Sequence, residues 1–333
     1  MKKLLLLYFI FTLSSGSRCL LAQEGIVLQT DYMVENLALV HPGMTGANLA
    51  GSRVYMGMRQ QWFGIEDAPQ TQLLSFETSA FSNTALGVVA YNDLNGSFQR
   101  KSLLLTYAYK INLTEEVWNT RRPFPTKNDS AKQLIFGLNL GVFTSDVDQS
   151  NFNNSSNDPA LGDQLRMGSY TNMNVGVAYI STRLSVQFSA KNFPLSSAPD
   201  NRIVAPIIIE KKNFKHFILS GQYRIFLPNE FSVEPSFLVQ YFSNKNQLYD
   251  LGFKLSKFFR GGRLWGGISY RNNFETPTLE DSRANGNLTF SMLSSAMGIN
   301  YKNFMVGYQY GNVLDVNSIS ALGHHFLLIG FHF

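Results

Sequence analysis

The feature that most narrows what this chain can fold into is an alternation of apolar and polar residues, repeated along almost everything after Gly51. Leu103, Leu105, Tyr107, Tyr109 and Ile111 share one parity; Arg100, Ser102, Thr106, Ala108 and Lys110 share the other. Leu134, Phe136, Leu138, Leu140 and Val142 alternate with Gln133, Gly137, Asn139 and Gly141. Met173, Val175, Val177 and Tyr179 alternate with Asn172, Asn174, Gly176 and Ala178. A period of two places successive side chains on opposite faces of a strand. The pattern recurs at 184–188, 233–241, 249–255, 264–271, 304–310 and 325–333. Divided at its turns, the chain gives strands near 51–63, 70–80, 84–92, 97–111, 131–144, 168–180, 182–191, 213–226, 230–243, 246–258, 262–273, 286–300, 302–311 and 322–333. That is about fourteen, an even number, with spans near the ~9–11 residues that a tilted transmembrane strand needs.

The first 22 residues read as a signal peptide. Lys2 and Lys3 form a basic start, 4–13 is an apolar block too short to span a bilayer as a helix, and small residues lead to a cleavage after Ala22. A lipoprotein reading through Cys19 is disfavoured by Arg18 in front of it. Cleavage removes Lys2, Lys3 and Arg18 and no acid, leaving 25 basic against 23 acidic side chains, so the formal charge of +5 is no nucleic-acid footprint. The single cysteine, Cys19, leaves as well, and disulfide and thiol chemistry go with it. No other stretch has the apolar length of a membrane helix. An exported chain of this kind is then a soluble all-β protein or a barrel that spans with strands.

The two share the same alternation and differ in which face meets water. Aromatic residues make up 14% of the chain. Many stand at strand ends or in adjoining loops (Trp62, Tyr91, Tyr109, Trp118, Tyr241, Trp265, Tyr270, Tyr310), as interfacial girdles do. Small residues opposite bulky apolar ones suit a crowded lumen. The last strand ends on an apolar face of Leu327, Ile329, Phe331 and Phe333, and this terminal aromatic pair resembles the assembly signal of outer-membrane barrels. The expected fold is therefore all-β: a transmembrane antiparallel β-barrel of about 14 strands over 51–333, in an outer membrane. Long polar insertions at 114–130, 144–167, 192–212 and 272–285 do not all fall on one side of it by count. Residues 23–50 have no period, and Pro42, Gly43 and Gly46 argue against a helix there; a periplasmic segment and a lumen plug both remain open.

The most informative short run lies at 59–76. The strand before it carries Val54, Met56, Met58 and Trp62 on one face and Arg53, Tyr55, Gly57, Arg59 and Gln61 on the other. Gly64, Asp67 and Pro69 break it as a hairpin connection does, and Trp62 suits a membrane headgroup level. With Ala68, Thr71 and Gln72, this run resembles the R-Q-Q-W-x-G-I-x-x-A-P-x-T-Q-x-x-S-F signature of the PorP/SprF family of type IX secretion system outer-membrane proteins. Tyr32-Met33 and His41-Pro42-Gly43-Met44-Thr45-Gly46 stand where that family has Y-M and N-P-A-x-x-G; His41, Gly43 and Asp67 replace an Asn, an Ala and a Gly.

The resemblance implies a non-enzymatic component of that secretion system. Its implied work is secretion and surface anchoring of cargo such as adhesins, by binding the cargo's C-terminal domain. The implied partners are outer-membrane lipid, that cargo domain, and periplasmic ring or peptidoglycan-binding proteins, with no cofactor and no nucleic acid. Gly64, Ala68 and Pro69 would shape the signature turn, with Arg59, Gln61 and Trp62 holding it. Tyr32, Met33, His41, Pro42 and Gly46 are candidate periplasmic or plug contacts. The alternative is a porin-like or hydrophobic-ligand transport channel. A membrane hydrolase is a third reading, without a motif to mark its serine.

The five histidines, His41, His216, His324, His325 and His332, come with no metalloprotease, C-x-x-C or nucleophile-elbow motif. Adjacent His324 and His325 point to opposite faces. Arg53, Arg59, Arg100, Lys110, Arg224, Lys254 and Arg271 lie mostly on polar strand faces. They are expected to pair inside with acids such as Glu77, Glu234 and Asp250 more than to form an anion-selective surface, because a charge alone in a membrane is costly.

Overall fold

The computed structural model describes residues 35–65, 67–81, 83–114, 130–148, 164–195, 215–243, 246–275, 288–314 and 323–333. The expected signal peptide, Tyr32, Met33, Glu66 and Trp118 lie outside them. The strands are β1 (Ser52–Gln61), β2 (Gln70–Phe81), β3 (Thr84–Asn95), β4 (Phe98–Asn112), β5 (Gln133–Asp148), β6 (Gln164–Ile180), β7 (Leu184–Pro194) and β8 (His216–Tyr223). They continue as β9 (Ile225–Phe226), β10 (Phe231–Phe242), β11 (Gln247–Phe259), β12 (Gly262–Glu275), β13 (Leu288–Tyr301), β14 (Phe304–Val313) and β15 (His324–His332). Arg224 separates β8 from β9, and both lie against β10, so the two make one stave and the wall has fourteen.

Every neighbour pair is antiparallel and sequential, and β15 returns to β1 with Arg53 opposite His332 and Gln61 opposite His324. Ser52 and Phe333 exchange backbone bonds of 2.8 and 2.9 Å at the seam. Closure removes the sheet edge, so the backbone polar groups of the strands are satisfied without water; this is what lets strands cross hydrocarbon.

Burial runs opposite to that of a soluble sandwich. Leu105 is 54% exposed, Leu251 63% and Met297 64%, while Ser75 is 1% exposed and Asn139 7%. The apolar parity points outward all round, and Ser, Asn, Gln and charged residues point in. A surface of this kind is stable against lipid and not against water, so the barrel spans a membrane. The inner polar groups bond one another across staves: Asn139 Nδ2 donates to Thr106 Oγ1 at 2.8 Å, Asn174 Nδ2 to Asn139 Oδ1 at 2.8 Å, and Asn192 N–H to Asn174 Oδ1 at 2.8 Å.

Two of the expected girdle aromatics are inside instead. Tyr91 packs with Leu73 and Phe143 in the lumen, and Trp265 donates its indole N–H to Asn300 Oδ1 at 3.1 Å. Parity accounts for both. In β3 the outward residues are Leu86 and Val88, and in β12 they are Leu264, Ile268 and Tyr270, which turns the odd-numbered ring inward in each. Tyr109, Tyr241 and Tyr270 do face outward.

The two ends of the barrel differ. One carries residue 51, Phe333 and the connections β2–β3, β4–β5, β6–β7, β9–β10, β11–β12 and β13–β14, all of four residues or fewer except 113–132. The opposite end carries β1–β2, β14–β15, the short β3–β4 and β10–β11 turns, and the long connections β5–β6, β7–β8 and β12–β13. Three of the four long insertions thus share an end, and 114–130 is the one that does not.

Candidate functional site

Residues 35–50, ahead of β1, fold back inside the barrel. Residues 35–50 contain two short 3-10 turns, Leu37–Leu39 and Pro42–Met44, and most of the stretch from Val40 to Leu49 is buried. What admits them is a row of small wall residues. Ala85, Ala108, Gly137, Gly176 and Ser189 stand opposite one another, pair by pair, across β3, β4, β5, β6 and β7. A Cβ on Gly137 would lie 2.2 Å from the Pro42 carbonyl carbon, and one on Gly43 3.0 Å from the Ala178 nitrogen. Gly46 has φ +69°, and a Cβ there would meet the Ala85 Cβ at 2.2 Å, so both backbone and space require glycine. Met44 and Ala47 pack on Ala85, Ala108, Ile135, Ala178 and Ile180; Val40 packs on Ile218, Leu238 and Leu248.

Polar contacts fix the segment at both ends and in the middle. Asn36 Nδ2 donates to Ser75 Oγ at 2.9 Å, and Gly46 N–H to Glu77 Oε2 at 2.7 Å. The same Glu77 oxygen holds Arg53 at 2.8 Å. Glu35 binds Arg263 and, at 3.1 Å, Lys254. Those two cations also lie 3.9 and 3.4 Å from Glu234, which is gripped by Arg224 at 2.9 and 3.2 Å. Burial pushes the Glu35 carboxyl up, but Arg263 and Lys254 beside it outweigh that and hold it below the usual carboxylate range.

His41 sits between staves, with Nδ1 2.7 Å from Ser189 Oγ and Nε2 2.8 Å from Ser220 Oγ. Ser220 gives its one proton to Gln187 Oε1 at 2.8 Å, so Nε2–H donates to Ser220, and in the neutral ring that burial favours Nδ1 accepts from Ser189. Burial first, then the Lys191 ammonium, lowers the ring's pKa from 6.5 to about 3. A histidine depressed in this way stabilises the folded state fully above its unfolded value and loses that contribution as pH falls toward the folded one. The stability difference between the native chain and a His41→Gln variant, measured by urea unfolding, is expected to shrink by about 2 kcal/mol from about pH 7 to about pH 5. A pH-independent difference would show that the ring is not buried neutral.

The signature turn lies at the end away from the termini. β1 stops at Gln61, whose N–H donates to Pro69 O at 2.9 Å, and Trp62 turns the chain with φ +50°. Trp62 N–H donates to Gly323 O at 3.0 Å and Gly96 N–H to Asp67 O at 3.3 Å, so the turn is tied to the start of β15 and to the β3–β4 turn. Gly64 has φ +92° with open space around it, so backbone conformation alone selects glycine. Asp67, standing for a family glycine, has φ +55°, a conformation that aspartate tolerates better than most side chains. Pro69 is buried, Thr71 donates to Asp93 at 2.6 Å, Arg59 lies within β1, Ala68 is half-buried, and Gln72 is exposed in β2. Phe63 is 67% exposed, its ring 5.4 Å from that of His325. Phe331 and Phe333 stack outward at 5.8 Å beside the closing seam.

The signature turn and the lumen segment are thus separate features at different heights of the barrel. Glu35, Asn36, Gln187, Ser189, Ser220 and Arg263 were not singled out by sequence reading. A polar inward parity marked Gln187 and Ser189, but nothing local marked their partner. The expected cross-stave pairs are present as Arg53–Glu77, Arg224–Glu234 and Arg271–Asp250 at 2.8–2.9 Å. Lys110 instead donates to Ser79 Oγ at 2.6 Å.

The profile of the family described as type IX secretion system membrane protein PorP/SprF matches residues 22–331. No curated protein matches the chain. Among solved structures, the TodX monoaromatic hydrocarbon channel is similar over 90% of this chain and 94% of its own, with TM-score 0.49 and 8% identity. A FadL homologue of Pseudomonas aeruginosa gives TM-score 0.49 and 8% identity over 89% and 94%.

Proposed function

This chain belongs to the PorP/SprF family of type IX secretion system membrane proteins, and we propose that it serves there as a non-enzymatic binding station in the outer membrane. After export and cleavage at Ala22, the barrel inserts with its termini and short turns toward the periplasm and its long connections outward, the usual polarity of such barrels. Phe331 and Phe333 act as its assembly signal. The outer end holds the C-terminal domain of a secreted cargo protein such as an adhesin and keeps it at the surface. The end with the termini meets the periplasmic ring or peptidoglycan-binding proteins of the machine, with Tyr32 and Met33 among the contacts.

The observation that carries this reading is the seat of residues 35–50. A segment held by His41, Glu35 and Gly46 against a fitted row of small residues occupies space that a conducting pore needs open. A binding station needs no such space. The signature turn supports the outer half of the reading, because it braces the first, third and last hairpin connections into one rigid rim.

An affinity pull-down of the tagged chain from native outer membranes, run beside planar-bilayer conductance of the purified barrel, tests it. Recovery of a large surface protein through its C-terminal domain, with little conductance, is expected. Steady pores with no protein partner would replace it with a transport channel.

A further inference from the structure

The rim that carries the termini presents a basic shelf on the lipid side of the wall. In β11 the outward parity that exposes Leu251, Phe253 and Leu255 continues to Lys257 and Phe259. Lys257 Nζ lies 4.5 Å from the centre of the Phe231 ring and donates to Asn229 O. One hairpin further round, Lys302 Nζ lies 5.5 Å from the Tyr301 ring, and Tyr301 stacks on Phe259 at 6.3 Å. The turns themselves are joined: Lys302 N–H donates to Gly261 O at 2.8 Å, beside the exposed Arg260. Asn229, Glu230, Gly261 and Lys302 all have positive φ, so the turns are tight. Glu230 is the acid among these turns, which leaves the shelf with an excess of two positive charges.

We propose that this shelf binds the phosphate headgroup of anionic phospholipid in the periplasmic leaflet. The rings of Phe231, Phe259 and Tyr301 lie at the lower edge of the apolar band, where aromatic side chains meet headgroups. Lysine stems laid along them keep the ammonium groups at the phosphate level. Lys257 stands on the lipid-facing parity of β11, while Arg260 and Lys302 stand in the adjoining turns, Lys302 over the outward Tyr301 ring; cations facing the lumen would suit a soluble anion instead. One cation near the end of β11 and two in the neighbouring turns match one phosphodiester and its neighbours, and each cation near an anionic bilayer strengthens attachment roughly fivefold.

The full-length barrel, purified and delipidated in nonionic detergent, is mixed with equal amounts of phosphatidylglycerol and phosphatidylcholine, and retained lipid is read by native mass spectrometry. Preferential retention of phosphatidylglycerol is expected, falling roughly fivefold for each of Lys257→Gln, Arg260→Gln and Lys302→Gln and vanishing in the triple variant. Heat-modifiable gel mobility reports folding. Should the triple variant not fold, Lys302→Gln alone decides, since an unchanged preference there overturns the proposal. A Lys132→Gln/Arg183→Gln pair elsewhere on the same rim is expected to keep the preference, and its loss there would mean diffuse charge and no shelf. Inorganic phosphate in excess is expected to displace no lipid; displacement, or tighter retention of lipopolysaccharide than of phosphatidylglycerol, overturns the assignment.

Discussion

Gly137→Val is expected to expel residues 41–47 from the lumen and to open the barrel to ions. The Cβ position at Gly137 falls 2.2 Å from both the carbonyl carbon and oxygen of Pro42 and 2.5 Å from the Gly43 nitrogen. Those are backbone atoms of a tight turn, so no rotamer change relieves the clash. Overpacking against fixed backbone costs about 3 kcal/mol or more, which shifts the docked-to-released ratio by more than roughly a hundredfold. The strand itself tolerates valine, since β5 keeps its ladder to β4 and β6. Planar-bilayer conductance is expected to rise to the level of a variant lacking residues 23–50, and protease cleavage within the released segment is expected to rise above that of the native chain. A silent, protease-resistant Gly137→Val barrel would mean that the segment does not close the lumen.

The second large effect is at Glu234. With Glu35 it sets two carboxylates against Arg224, Lys254 and Arg263, and each of the three cations lies within 4 Å of it. Glu234→Gln takes the carboxylate from Arg224 and leaves Lys254 and Arg263 with Glu35. Removing one partner from a buried charge network costs about 3–5 kcal/mol, because the remaining charges keep their desolvation without their attraction. The urea midpoint of the purified barrel is expected to fall accordingly, and adding Arg224→Gln to restore the charge balance is expected to recover part of the loss. Equal midpoints for native chain and variant would show that solvent screens the cluster.

The cluster also marks the limit of sequence reading. Arg53–Glu77, Arg224–Glu234 and Arg271–Asp250 join neighbouring staves, so strand parity and hairpin register bring the partners together. Glu35 meets Arg263 across 228 positions, with no periodicity on its side. Parity likewise foretold Leu103, Leu105 and Tyr107 outside and Ser102, Thr106 and Lys110 inside. Tyr91 and Trp265 stand near strand ends, as girdle aromatics do, yet face inward, because parity and not position along the strand decides the face.

At the signature turn, Gly64 and Pro69 announce a break, but the brackets to Gly323 and Gly96 depend on which staves stand beside β1 and β2. Small residues at 85, 108, 137 and 176 are visible in the sequence only as gaps in four separate strands. They become one seat when the ladders bring them level.

By itself the sequence determined the strands, their number and the face each side chain takes, because a period of two is a local property of an extended chain. Tertiary structure decided what those faces enclose: that residues 35–50 pack against the inner wall, that His41 sits between Ser189 and Ser220, and that Glu35 completes a charge cluster. Each of these depends on distances between residues far apart in the chain, and closure of the fourteen staves sets those distances.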